Sequence, residues 1–261
     1  MATRKLTPIT KATRRPQRFR WPPAAARVEA ILAGLETLYP DVDCELDRDT
    51  PFQLLCATIL SAQCTDERVN RVTPELFRRF PDARAMAEAP LRELESLIRS
   101  TGFFRQKAKS LRRTAEILVE RHGGEVPRTM AELTVLPGVA RKTSSVVLGT
   151  AFGLAEGVVV DTHVQRLSLR LGITRNVTPQ KIERDLMQVV PRDRWIRFSH
   201  QVIWHGRRVC FARRPACGQC LISPHCPSAF RESDPAGGQP KQAQAAGAQY
   251  SSPGIGDQAG R

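Results

Sequence analysis

Four cysteines stand together late in the chain. Cys210, Cys217, Cys220 and Cys226 follow the spacing C-x6-C-x2-C-x5-C. Four thiolates can hold a tetrahedral zinc ion or an iron–sulfur cluster. Zinc fingers usually set two close pairs across a longer gap, whereas one compact loop with a single C-x2-C is found here. A second candidate pair is Lys142 and Asp161, which lies 19 residues further on. A neutral lysine amine is a nucleophile that forms Schiff bases, and a carboxylate beside it can steady developing positive charge or move protons. Arginine cannot replace that lysine, because it stays charged. The chain uses lysine sparingly: of 40 basic residues 33 are Arg and only 7 are Lys. Plainer roles exist for both residues. Lys142 suits a phosphate-binding charge near a helix start, and Asp161 suits the N-cap of a helix beginning at Thr162. A capping carboxylate can also be a catalytic one.

These residues need elements to position them. The string Leu136-Pro137-Gly138-Val139-Ala140-Arg141-Lys142 joins two predicted helices, 129–136 and 141–152, by a tight turn. Gly138 permits a backbone geometry that a Cβ would block. The start of the second helix presents unpaired N–H groups and a positive dipole end, where a phosphate can sit without base contacts. Arg141 and Lys142 add charge there. Taken alone, a helix–Pro-Gly–helix turn more often merely links packed helices. A helix of about 11 residues spans roughly 16 Å. The short loop and the apolar run Val158-Val159-Val160 together cover a similar distance in fewer residues if extended, so Asp161 can return near Lys142.

The remaining pattern is helical. Val28, Ile31, Leu32, Leu35 and Leu38 form a stripe over 24–39. Asp49-Thr50-Pro51 reads as a helix start. Further helices are predicted over 66–79, 82–87, 90–100, 105–122, 162–171, 179–190 and 195–205, with Gly102 and Gly123-Gly124 as stops. Aromatic residues are few and Val/Ile/Thr alternation is rare, so the expected fold class is all-α. Residues 1–23 read as a disordered basic arm and 227–261 as a disordered tail rich in Gln, Ala, Gly, Ser and Pro.

The formal net charge is +14 over 261 residues. Such a balance favours polyanionic partners, nucleic acid first. The arm supplies half of it, with Arg4, Lys5, Lys11, Arg14, Arg15, Arg18 and Arg20 and no acid. No apolar run is long enough for a membrane span, and no secretory signal is visible. Clustered cysteines without such a signal argue against a disulfide framework. Cys44, Cys56 and Cys64 stand apart and read as buried thiols.

Several strings together resemble the endonuclease III family of DNA glycosylases and AP lyases. LPGVARKTSSVVLGTAFG is similar to the helix–hairpin–helix of that superfamily, running on toward an Asp. VVVDTHVQRLSLRLG is similar to its catalytic segment, which puts Asp161 at the family's catalytic aspartate, with His163 as either a pocket residue or a capping or core residue. Lys142 falls on its catalytic lysine. Leu60-Ser61-Ala62-Gln63-Cys64-Thr65-Asp66 resembles the motif whose glutamine enters the space left by a flipped base, here Gln63. Thr101-Gly102-Phe103-Phe104-Arg105-Gln106-Lys107-Ala108 resembles the wedge loop, with Phe103 as the wedge. The four-cysteine spacing agrees in every interval with the family's [4Fe–4S] loop, from which Arg213 and Arg214 would reach DNA phosphates. Three positions depart from the pattern: Thr101 replaces a bulky aliphatic residue, Ala140 a second glycine, and Ala216 a basic residue.

The resemblance covers about 24–226. It implies a two-lobed, all-helical helix–hairpin–helix fold, with a six-helix lobe over 44–154 and a cluster lobe built from 24–43 and 155–226. It implies a monomeric bifunctional glycosylase and lyase acting on oxidised pyrimidines or abasic sites in double-stranded DNA, with DNA contacts at Gln63, Phe103, Gly138, Ala140, Arg141, His163, Arg213 and Arg214. The expected compartment is the bacterial cytoplasm and nucleoid, with mitochondrion or nucleus left open. The alternatives are a monofunctional adenine or mismatch glycosylase and a non-catalytic damaged-DNA-binding member.

Overall fold

Short capping side chains set five of the eleven α-helix starts among the described residues. The computed structural model describes residues 21–230, so the expectations for the basic arm and the C-terminal tail fall almost wholly outside the described residues. Helix α1 is Ala25–Leu38. Helix α2, Pro51–Leu60, begins with Thr50 Oγ1 accepting from Gln53 N at 3.2 Å and Pro51 in its first turn, where a missing N–H costs nothing. Thr65 caps α3 (Asp66–Arg79), Asp82 caps α4 (Ala83–Ala87) and Thr129 caps α7 (Met130–Thr134) in the same way. Helix α5 is Leu91–Leu97, and the predicted 90–100 helix ends there because Arg99–Thr101 tightens into a 3-10 turn. Helix α6 is Phe104–His122 and α8 is Arg141–Phe152. Asp161 caps α9 (Thr162–Arg170); α10 is Pro179–Val189, and α11 is Trp195–Arg208. No strand occurs among the described residues. None of their helices is long and apolar enough to cross a membrane.

Two apolar cores form. One is built by α2 to α8, with Leu54, Leu55, Leu60, Leu76, Leu94, Leu118 and Leu148 at its centre. The other joins α1 to α9, α10 and α11 through Ile31, Leu35, Val164, Leu186, Phe198 and Val202. Each such side chain contributes about 1.5–3 kcal/mol when fully buried. The 44–154 stretch carries seven α-helices, α2 to α8, where the resemblance implies six; two of them, α4 and α7, are only five residues long. The chain enters the second core with α1, leaves it for the first, and returns through Val158, Val159 and Val160. Of these only Val158 is fully buried. The run pairs with no strand; Val159 N donates instead to Ser199 Oγ at 3.0 Å, which fixes the approach to Asp161. Cys56 is buried as expected, whereas Cys44 and Cys64 are half-buried. Thr101 is also buried, its hydroxyl donating to Ile98 O at 2.8 Å, so the departure from a bulky aliphatic there is absorbed inside the protein.

Candidate active site and cysteine loop

The hairpin is assembled from below by α6. Gly138 has φ +79°, a left-handed conformation that costs a residue with a Cβ. A Cβ there would also lie 3.2 Å from Ser110 Cβ and 3.4 Å from Ile59 Cγ2. Thr114 Oγ1 donates to Pro137 O at 3.1 Å and holds the turn down. Ala140 stands at φ −88°, ψ 169°, extended backbone that any residue adopts, so alanine in place of the family's glycine brings no strain. It supplies no side-chain cap to α8. Unlike α2, α3, α4, α7 and α9, α8 therefore presents its first N–H groups uncovered, and Ala140, Arg141 and Lys142 are all exposed. Part of the expected charge is taken up elsewhere. The Arg141 guanidinium donates to Glu183 Oε1 of α10 at 3.0 Å, and that carboxylate raises its pKa.

One open cleft lies between the two cores, and both Lys142 and Asp161 line it. Lys142 comes from the first turn of α8, Asp161 from the start of α9. Asp161 Oδ1 accepts from Val164 N at 2.8 Å. The carboxylate is thus an N-cap, in keeping with its plainer role, and it faces the cleft as well. Gln63 and His163 line the same cleft. Gln63 is exposed with φ 54°, which turns it off the end of α2. His163 is half-buried and packs on Gly206, where a Cβ would meet its Nδ1 at 2.7 Å, so glycine is what lets α9 and α11 approach. Burial lowers the His163 pKa, opposed by the nearby Asp161 charge. Phe103 lies outside this lining. It is 68% exposed, in the left-handed region at φ 47°, and immediately precedes α6.

Sequence reasoning missed Arg207. It reaches from α11 into the cleft, donating to Asp66 Oδ2 at 2.7 Å and to Glu45. Its partners sit on the first core's side, so it ties the two halves. No local signal marks it among 33 arginines.

The four loop cysteines converge. Cys210, Cys217, Cys220 and Cys226 line one small, partly open cavity with Leu167, Leu171 and Ile222. Among the described residues no three His, Cys, Asp or Glu side chains are grouped to hold a single metal ion. Burial pushes the Cys220 thiol up to about 11. His205, buried and held neutral with its pKa lowered to about 4, places Nε2 3.3 Å from Cys220 Sγ and Nδ1 3.1 Å from the Tyr39 hydroxyl. Arg170 binds the loop to α9 through Phe211 O at 2.6 Å and Ala212 O at 2.9 Å. Arg213 and Arg214 project from this loop, both exposed.

Comparison with known proteins accords with this architecture. A family model described as HhH-GPD superfamily base excision DNA repair protein matches residues 56–192. Endonuclease III of Synechocystis sp. is 58% identical over 203 residues, which is 78% of this chain and 93% of that protein. A non-covalent endonuclease III–DNA complex superposes with a TM-score of 0.75 at 40% identity, covering 80% of this chain and 97% of the other. A trapped endonuclease III–DNA covalent intermediate gives 0.75 at 39%, covering 80% and 98%. With a hairpin, a cleft carrying a lysine and an aspartate, and relatives matched over nearly their whole length, this chain belongs to the endonuclease III family of the HhH-GPD superfamily.

Proposed function

We infer that this chain is a bifunctional DNA glycosylase and AP lyase of base excision repair, with oxidised pyrimidines in duplex DNA as its lesions. The observation that carries the reading is that Lys142 and Asp161, from different helices, share one cleft beside the uncapped start of α8. Lys142 Nζ attacks C1′ of the damaged nucleotide, and the C1′–N bond to the base breaks. The sugar ring opens to a Schiff base. Loss of a C2′ proton then expels the 3′-phosphate, cutting the strand 3′ to the abasic site. Asp161 steadies positive charge on the sugar and accepts or returns protons. The N–H groups after Gly138 and Ala140, with Arg141 at their edge, hold a backbone phosphate. Gln63 and Phe103 fill the duplex where the base has left, offsetting the few kcal/mol that extrusion costs; His163 lines the pocket.

The lobes over 44–154 and over 24–43 with 155–226 grip the duplex as a monomer at the bacterial nucleoid. The cysteine loop suits a [4Fe–4S] cluster, because four thiols of one compact loop line a shared space. Cys210, Cys217, Cys220 and Cys226 would hold it, and the cluster would supply a structural tie that a loop without its own core lacks. Arg213 and Arg214 then bear on phosphates.

The test is borohydride trapping on a duplex with one abasic site. The wild-type protein should give a covalent adduct, and Lys142→Gln none while still binding the duplex. A wild-type protein that releases base without an adduct would be the monofunctional glycosylase. One that binds and releases nothing would be a binding-only member.

A further inference from the structure

Four lysines fall among the described residues. Lys109, Lys142 and Lys181 are exposed, and Lys107 is buried at 6% exposure. Its Nζ donates to Leu60 O and to Thr101 O, each at 2.8 Å. Leu60 ends α2, and Thr101 ends the 3-10 turn after α5. The final carbonyls of a helix have no partner within it and favour a cation. One ammonium therefore closes two helix ends that are 41 residues apart in sequence. Each end opens into a loop that carries a left-handed residue: Gln63, three positions past Leu60, and Phe103, two positions past Thr101. The backbone of Lys107 also holds the second loop, since its N–H donates to Phe103 O at 3.1 Å. Burial lowers the Lys107 pKa, the expected cost of taking a charge from water. An apolar side chain would avoid that cost, but it could not bond both loops.

We propose that Lys107 is a positioning residue that couples the Gln63 loop to the Phe103 loop, so that the two side chains enter the duplex together. The coupling rests on the proposed insertion of both side chains. Lys107 itself touches no DNA and acts only through the two carbonyls and the Phe103 backbone. A methionine at this position keeps the length and packing but donates to neither carbonyl.

The experiment is a mutant cycle on the full chain. The probe is a duplex with one oxidised pyrimidine opposite 2-aminopurine, whose fluorescence rises as the base pair is opened. Opening rates are compared for Gln63→Ala, Phe103→Ala and the double variant, each with Lys107 and with Lys107→Met. With Lys107 in place, the double variant should be within about twofold of the slower single one, because loss of either insertion already spoils the other. With Lys107→Met, the two fold-losses should multiply. Losses that multiply with Lys107 present overturn the coupling, and that arm needs no Lys107 variant to fold. Losses that stay non-multiplicative with Lys107→Met show that the coupling does not run through this lysine. If neither single truncation slows opening, the insertion reading itself falls and the proposal with it.

Discussion

Asp161 is both a helix cap and a candidate catalytic carboxylate, and two substitutions separate these roles. Its Oδ1 accepts from Val164 N at 2.8 Å, which starts α9. Its charge acts on His163 and Arg207. Asparagine caps a helix about as well as aspartate, while alanine gives up about 1 kcal/mol. In a protein of this size 1 kcal/mol moves Tm by about 2–4 °C. Asp161→Asn should therefore unfold within about 1 °C of wild type, and Asp161→Ala about 2–4 °C lower. Both lose the carboxylate's proton transfer, worth roughly 100- to 10,000-fold in rate. Single-turnover nicking of a lesion-bearing duplex and scanning calorimetry on the same preparations measure the two effects. Nicking by Asp161→Asn at the wild-type rate would reduce Asp161 to a cap. Equal Tm values for the Asn and Ala variants would show that the cap bond contributes nothing to stability.

The hairpin, the cleft and the arm can each be perturbed separately. Gly138→Val forces a Cβ into φ +79° beside Ser110 and should cost about 1–2 kcal/mol, visible as a lower Tm together with weaker duplex binding. Arg207→Met leaves Glu45 and Asp66 without this partner in the cleft, so duplex affinity by fluorescence anisotropy should drop about tenfold, equivalent to 1.4 kcal/mol, with little change in Tm because the pairs are partly exposed. Deleting residues 1–20, which carry seven cations, should flatten the salt dependence of binding by about 0.9 in slope for each phosphate that the arm neutralises. An unchanged slope would remove the arm from DNA binding.

What the sequence disclosed was what neighbouring residues decide. Thr50-Pro51 and Asp161-Thr162 announce helix starts because a capping bond spans three residues, and α2 and α9 begin there. Lys142 and Asp161 are legible as a pair through the family resemblance; the helix and the apolar return run by themselves only allow Asp161 to come back near Lys142. Bonds between distant segments are not legible in this way. Arg141 reads as free charge at the hairpin, yet its partner Glu183 lies 42 residues away. Arg207 has no periodicity or motif to distinguish it, and its partners come from before α2 and the start of α3. Lys107 carries one usable signal, the scarcity of lysine, but nothing local shows that its side chain bridges two helix ends.

The cross-ties between the cores bear on how damage is searched for. Arg207 to Glu45 and Asp66, and Arg141 to Glu183, join the halves of the protein at two points. Partly exposed ties of this kind each hold the halves by only about 0–1 kcal/mol, so much of the fit rests on how readily the DNA itself bends. Bending a stiff duplex costs several kcal/mol, and the cost is lowest where stacking is already weak. Sound DNA would then slide past for want of compliance, and a lesion would be noticed first as a soft spot in the duplex, before any atom of the base is read.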